Sequence, residues 1–176
     1  ACAVSLLALA VSPANAADYP DRPITIVVPF PAGSTSDMIP RLLGPLMAKS
    51  LGVPVVVENR AGANGSIGAA RVATSAPDGY TLLLGTTGVF AINQWIYEKP
   101  QYSPEKDFAP IVNAASTPNM IVVNPSVKAK TLKELVALAK AQPGKLSFAS
   151  AGNGRTSHLC GEALKVIEGI DMVHIP

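Results

Sequence analysis

Short apolar runs alternate with longer amphipathic stretches along most of the chain. Ile24–Val28 is an unbroken β-branched run, which is typical of a strand buried on both faces of a sheet. The pattern predicts strands at residues 24–28, 53–58 and 80–84, and helices at residues 37–51, 66–75 and 88–97. This βαβαβα order predicts a parallel sheet that is covered by helices on both faces.

A second alternation follows a proline-bearing connection at residues 98–110. Two apolar runs, 111–115 and 120–123, are predicted to be strands that cross into it. Thr131 and Glu134 then form a Thr-x-x-Glu capping box before a helix at residues 132–141. A strand at 146–149, a helix at 156–168 and the start of a strand at 172–175 complete the pattern. The sequence therefore predicts an α/β protein with a first unit at residues 17–115 and an incomplete second unit at residues 116–176.

The beginning of the chain has the pattern of an export signal. An uncharged apolar run at residues 3–11 precedes Ser12-Pro13 and the small-residue site Ala14-Asn15-Ala16. These features predict a partial secretory signal peptide, residues 1–16, that is cleaved after Ala16. The apolar run is shorter than the ~20 residues that a membrane span needs. A lipid on Cys2 remains an alternative.

Composition and charge exclude several classes of function. The chain is 48% hydrophobic and 15% charged, which is typical of a protein that builds a core. A net charge of +2 without a Lys/Arg run does not indicate a nucleic-acid partner. His158, Cys160 and Glu162 lack the spacing of a zinc site, so we expect no metal and no cofactor. Cys160 is the one cysteine after the signal segment, which excludes an internal disulfide within this sequence.

Several strand exits share the same polar chemistry. Small, glycine-bearing, hydroxyl- or amide-rich turns follow four of the predicted strands, at residues 31–37, 59–66, 85–88 and 150–158, and each precedes a helix. In an open parallel sheet these exits lie at one edge, where ligands bind. Helix N-termini and glycine backbone supply N–H donors there. The turns therefore predict a site for a carboxylate or a phosphate.

Individual side chains in these turns have competing interpretations. We expect Asp37 to organise its loop, or to pair with a ligand amine. His158 is predicted to pack or to bond its loop, and Arg155 to be a solvated first-turn residue rather than a ligand contact. The sequence lacks G-x-S-x-G, Walker A and G-x-G-x-x-G signatures. An exported enzyme with Ser150 or Ser157 as nucleophile beside His158 nevertheless remains an alternative.

Five motifs together resemble a known family. They are Pro29-Phe30-Pro31-Ala32-Gly33 with Asp37, and the segments 57–65, 76–83, 107–111 and 150–154, the last with His158-Leu159. From about Tyr19 to the last residue the sequence resembles the Bug-type solute receptors of tripartite tricarboxylate transporters. Ser34 and Ser66 stand where glycines are more usual in that family, and Arg155 replaces a small residue.

The resemblance implies a fold and a function. It implies a two-lobed, type II periplasmic-binding-protein fold, and a monomeric, non-enzymatic periplasmic receptor that binds a small carboxylate solute between its lobes and contacts a membrane permease transiently. A hydrolase or transferase acting on an anionic substrate, and a receptor that serves only a sensor, are the alternatives. The residues that the resemblance assigns to ligand binding are Phe30, Pro31, Ala32, Gly33, Ser34, Thr35, Ser36, Asp37, Asn64, Gly65, Thr86, Thr87, Gly88, Ser150, Ala151, Gly152, Asn153, Gly154, Thr156 and Ser157.

Overall fold

The first parallel sheet is built around the β-branched run near the start of the chain. The computed structural model describes residues 19–99 and 101–176, so the predicted signal segment lies outside the described residues. Strands β1 (Ile24–Val28), β2 (Val55–Asn59) and β3 (Thr81–Leu83) form a parallel sheet in the order β2-β1-β3. The central strand β1 is almost fully buried, as its unbroken apolar run requires.

Helices after these strands cover the first sheet. They are α1 (Thr35–Leu51), a 3₁₀ turn at Ala63–Gly65, α2 (Ser66–Ala73), a π-helical turn at Gly88–Ile92 and α3 (Asn93–Ile96). Val28, Phe30, Ala69, Val89 and Tyr102 form the buried core between sheet and helices. Phe30 lies two residues after the end of β1 and belongs to this core, which fixes the point where the chain leaves the sheet.

The second sheet is a smaller parallel pair. It contains β4 (Ser147–Ala149) and β5 (Val173–Ile175), and it is accompanied by α4 (Leu132–Ala141) and α5 (Thr156–Glu168). Its core is formed by Val136, Ala139, Ile170 and Met172. The predicted alternation of strands and helices is therefore confirmed in both halves, with element ends that differ from the prediction by one or two residues in most cases.

Two predicted strands are wrong. Residues 111–115 and 120–123 form neither a strand nor a helix. Ile111 and Val122 are 76% and 81% exposed, and no strand of the described chain pairs with either run. An apolar, β-branched run becomes a strand only where a neighbouring strand accepts and donates its backbone hydrogen bonds.

The predicted helix at residues 88–97 is also more complex than expected, because it begins with the π-helical turn and continues as α3. The wider turn buries Gly88, Val89 and Ile92, and it is followed by the buried Asn93.

Within the described residues, no helix combines the length and the apolar character that crossing a membrane requires.

Candidate ligand-binding site

An open cavity of about 480 Å³ lies where the exits of the first sheet face the loop after β4. Both sheets contribute to its walls, as the ligand-edge argument predicts for parallel sheets. Its described lining residues are Pro29, Phe30, Pro31, Ala61, Gly62, Asn64, Gly65, Tyr97, Ala151, Gly152, Asn153 and Arg155.

The first wall is fixed by Asp37 at the start of α1. One carboxylate oxygen of Asp37, Oδ2, accepts hydrogen bonds from the Gly33 N–H at 2.8 Å and from Arg41 Nε at 2.8 Å. The other oxygen, Oδ1, accepts from Asn59 Nδ2 at 2.8 Å. The Asp37 side chain is 2% exposed, and these hydrogen bonds, above all that from Arg41, hold the pKa of its carboxyl well below the usual range. Asp37 therefore organises the turn and has no oxygen turned toward the cavity.

Asn59 carries this organisation across to the end of β2. Its Nδ2 donates to the Phe30 carbonyl at 3.1 Å as well as to Asp37, and its Oδ1 accepts from Arg41 at 2.9 Å. The amide thus joins the ends of β1 and β2 to the first turn of α1. The position of the Phe30 segment, which lines the cavity, depends on this network.

The second wall is the 3₁₀ turn before α2. Asn64 has a left-handed backbone with φ of 50°, a conformation that asparagine tolerates better than most residues. Its Nδ2 donates to Asn93 Oδ1 at 2.8 Å and to the Gly154 carbonyl at 3.1 Å. The second of these bonds links the first sheet's side of the cavity to the loop after β4.

The third wall is the loop that leads from β4 to α5. Two serine hydroxyls form hydrogen bonds within this loop: Ser150 Oγ accepts from the Gly152 N–H at 3.1 Å, and Ser157 Oγ accepts from the Ala151 N–H at 3.3 Å. His158 Nδ1 accepts from the Gly154 N–H at 3.2 Å. The hydroxyls of this loop therefore hold its shape, while Ala151, Gly152 and Asn153 face the cavity.

Arg155 is the one charged side chain among the described residues that line the cavity. Its guanidinium carbon lies 4.2 Å from the centre of the Phe30 ring, a cation–π contact between the loop and the first sheet. Partial burial lowers the pKa of Arg155, and no carboxylate of the described chain pairs with it. The expectation of a solvated arginine is thus wrong, because the side chain turns inward over Phe30.

The structure brings only part of the predicted set to the cavity. Phe30, Pro31, Asn64, Gly65, Ala151, Gly152 and Asn153 line it. The remaining predicted residues do not line it: Ala32, Gly33, Ser34, Thr35, Ser36, Asp37, Thr86, Thr87, Gly88, Ser150, Gly154, Thr156 and Ser157. For Ser34, Asp37 and Ser157, the side-chain oxygens accept hydrogen bonds from N–H groups of their own turns.

Five lining residues lie outside the predicted set: Pro29, Ala61, Gly62, Tyr97 and Arg155. Ala61 and Gly62 stand inside a polar turn that the sequence already indicated, so including the whole turn would have found them. Nothing local in the sequence marks Tyr97, which follows α3 and reaches the cavity through the tertiary fold.

The enzymatic alternative named Ser150 or Ser157 as a nucleophile beside His158, and the structure does not pair them in that way. Neither Ser150 nor Ser157 bonds to His158; Ser150 Oγ instead lies 2.7 Å from His174 Nε2 and also accepts from the Gly152 N–H. Groups of His, Cys, Asp or Glu that could hold a metal ion do not occur in the part of the chain that the structure describes.

A family model and solved structures match this chain. The model of the tripartite tricarboxylate transporter family receptor matches residues 39–176. A solved periplasmic transporter is 43% identical, with a TM-score of 0.82 over 90% of this chain and 53% of that chain. An R. palustris protein solved with adipate is 35% identical, with a TM-score of 0.84 over 90% of this chain and 53% of that one.

MatC from Rhodopseudomonas palustris, solved with bound malate, is 34% identical, with a TM-score of 0.77 over 90% of this chain and 54% of that chain. The predicted fold class is confirmed, since the α/β architecture with parallel sheets is that of a periplasmic transporter, of which this chain covers about half. The chain likewise spans about half the length of the curated relatives it matches, 47% of one and 51% of another.

Proposed function

Because this chain belongs to the tripartite tricarboxylate transporter receptor family, we propose that it captures a small carboxylated solute in the cavity between its two sheets and delivers it to a membrane permease. Export by the predicted signal at residues 1–16 would place it in the periplasm. The units at residues 17–115 and 116–176 would act as the two lobes that contact the solute.

The observation that carries the proposal is the charge of the cavity. Its described lining contains Arg155 and no acidic side chain. A guanidinium presents donors in a planar fork that matches a carboxylate. Arg155 already lies partly buried without an acidic partner in the described chain, so a solute carboxylate would supply the missing counter-charge. Two R. palustris neighbours were solved with adipate and with malate, both small dicarboxylates, which supports a carboxylated solute here.

The energetics favour contacts from both sheets. A hydrogen bond to a charged group contributes about 1.5–3 kcal/mol net. Micromolar affinity requires roughly −8 kcal/mol after association has cost at least ~4 kcal/mol. Arg155 alone falls short of this sum, whereas Arg155 together with backbone donors of both walls can reach it. A solute that joins both walls would also hold them together, which gives a permease a bound state to recognise.

Calorimetry on the full-length gene product tests the proposal. We expect adipate or malate, or a related carboxylate from a panel, to bind with micromolar affinity, and its diamide to bind at least tenfold more weakly. Binding should also weaken as the pH falls toward ~4, where free carboxylates take up protons. Equal affinity for acid and diamide, or turnover of the solute, would contradict the proposal.

Arg155 can be tested separately. Arg155→Gln removes the charge but keeps a polar side chain, and it should weaken carboxylate binding roughly 10- to 100-fold, the loss expected for a charge-assisted hydrogen bond. Arg155→Lys should recover only part of this loss because lysine lacks the planar fork. Arg60→Gln is the control, since Arg60 pairs with Glu58 outside the cavity lining. An unchanged affinity of Arg155→Gln would remove Arg155 from the site.

A further inference from the structure

Both histidines of the sequence stack on each other beside the loop that faces the cavity. His158 belongs to α5 and His174 to β5, and their ring centres are 4.1 Å apart with an interplanar angle of 27°. Phe148 of β4 packs on His174 at 4.9 Å between ring centres. The carboxylate-binding role proposed above uses neither ring, because neither lines the cavity.

Each ring is bonded to one end of the loop segment that lines the cavity. His174 Nε2 lies 2.7 Å from Ser150 Oγ, which in turn accepts from the Gly152 N–H. His158 Nδ1 accepts from the Gly154 N–H at 3.2 Å. Ala151, Gly152 and Asn153, which line the cavity, thus stand between Ser150 and Gly154, and each of these two residues is bonded to an imidazole.

We propose that the His158–His174 stack is a proton-sensitive positioning element for the ligand-facing loop. The neutral rings hold the loop in its binding geometry. Uptake of a proton by His158 breaks the hydrogen bond to Gly154, so that the affinity for the solute decreases as the pH is lowered. This inference rests on the proposed function in one respect, namely that the loop contacts the solute.

The chemistry of the Gly154 anchor requires an unprotonated nitrogen. A backbone N–H can only donate, so His158 Nδ1 must offer its lone pair. The imidazolium form carries hydrogens on both nitrogens, which would place two donors face to face at this point. The bond is then lost, and the loop loses its tether next to Arg155.

Charged and apolar groups lie close to the two stacked rings. Glu162 on α5 has a carboxylate oxygen 3.9 Å from His158 Nε2, and it also pairs with Lys165 at 3.1 Å. From β4, the apolar Phe148 ring packs on His174. Burial, together with the neighbouring His158 and Lys165, lowers the pKa of His174, although Glu162 opposes this shift. Glu162 thus lies on the His158 side of the stack, where its carboxylate would stabilise an imidazolium, and repulsion between stacked cations disfavours a second proton on the pair.

Nuclear magnetic resonance on the full-length gene product tests this coupling without any ligand. The imidazole resonances of His158 and His174 and the backbone amides of Gly152 and Gly154 would be followed from pH 8 to pH 5. We expect the Gly154 amide to shift with the same midpoint as the His158 ring. Glycine amides that stay constant while the imidazole titrates would overturn the proposal, whether or not a carboxylate ligand has been found.

The effect on binding is measured with adipate or malate, whichever binds. His158→Gln keeps an acceptor for the Gly154 N–H but does not titrate, so its affinity at pH 8 should stay within about threefold of the unsubstituted protein. Between pH 8 and pH 5.5 the unsubstituted protein should lose at least fivefold more affinity than His158→Gln. Protonation of the ligand affects both proteins equally and cancels in this comparison. Equal pH dependence in the two proteins would overturn the proposal, and thermal melting at pH 8 verifies that the variant folds.

Discussion

Asp37 and Arg155 are charged residues close to the same cavity, and their surroundings give them opposite roles. Both oxygens of Asp37 are bonded within the turn that it organises. Arg155 contacts the face of Phe30 and has no acidic partner in the described chain. A saturated charge stabilises local structure, whereas a partly buried, unpaired charge favours a ligand of opposite sign. Asp37 therefore supports the wall of the cavity, and Arg155 is the residue that the proposed function assigns to a solute carboxylate.

The first prediction concerns Asn59, which holds Asp37 and Phe30 together. Asn59→Ala removes the donor to Asp37 Oδ1 and to the Phe30 carbonyl, and it leaves both acceptors short of a partner. We expect the free energy of unfolding to fall by about 1–3 kcal/mol, measured by urea denaturation.

A neighbouring variant is the control for Asn59. Arg60→Ala breaks only an exposed ion pair with Glu58, so it should cost at most about 1 kcal/mol. Equal losses in the two variants would mean that the Asn59 network contributes no more than a surface pair.

At the scale of elements, the 3₁₀ turn and α2 are packed against the core at a glycine. Gly65 has φ of 91°, and a Cβ there would lie 2.7 Å from Val89 Cγ2 and 3.3 Å from Phe30 Cζ. The turn therefore needs glycine for two reasons, the left-handed backbone and the close approach to the core. This approach is what brings Asn64 to the edge of the cavity.

A pair of alanine substitutions separates these two reasons. Gly52→Ala, at the C-cap of α1, meets no atom within 4 Å and should cost only the left-handed strain, about 1–2 kcal/mol. Gly65→Ala should incur a similar backbone strain, and overpacking against Val89 should lower the free energy of unfolding by about 1–3 kcal/mol more. Chemical denaturation of both variants gives the difference directly. If the two losses are the same, the core yields to the added methyl group and close packing does not explain Gly65.

The same elements mark how far the sequence determines the structure. β1 was predictable because its β-branched run is buried on both faces, and α4 because Thr131 Oγ1 accepts from the Glu134 N–H at 3.2 Å, as a capping box requires. The second hydrogen bond of this capping box differs from the expected one, since Glu134 Oε2 accepts from the N–H of Lys130 rather than from that of the cap residue Thr131. Local patterns are sufficient for elements that a short stretch of sequence encodes, as the apolar run encodes β1 and the capping box encodes the start of α4.

Features that depend on distant residues were not predictable. The runs at 111–115 and 120–123 have strand composition, but strand formation depends on a pairing partner elsewhere. The polar turns were located correctly, yet the sequence does not reveal which of their donors bond internally. The role of Asp37 depends on its hydrogen bond from Asn59, and the position of Arg155 depends on its contact with Phe30, from which it is separated by most of the chain. The edge of the site was therefore predictable, and its individual contacts were not.

At the scale of the molecule, two polar contacts join the first sheet's side of the cavity to the loop after β4. Asn64 Nδ2 donates to the Gly154 carbonyl, and the Arg155 guanidinium covers Phe30. Gly154 also packs closely, since a Cβ there would lie 2.6 Å from Ile96 Cδ1. A solute that bonds to both walls would add to these contacts, so its affinity should depend on how well they hold the walls in place.

The last prediction tests that dependence at Asn64. Asn64→Gly keeps a residue that accepts φ of 50° and removes the amide that bonds to the Gly154 carbonyl and to Asn93 Oδ1. A lost neutral hydrogen bond costs about 0.5–1.5 kcal/mol, so carboxylate affinity should fall about 3- to 10-fold by calorimetry.

Ala63→Gly is the matched control, because Ala63 has φ of 45° and does not line the cavity. The control should bind normally and unfold at slightly higher denaturant, since it relieves left-handed strain. Weakened binding in both variants would assign the effect to the backbone of the turn, and normal binding in both would mean that the Asn64–Gly154 bond does not hold the walls for the solute.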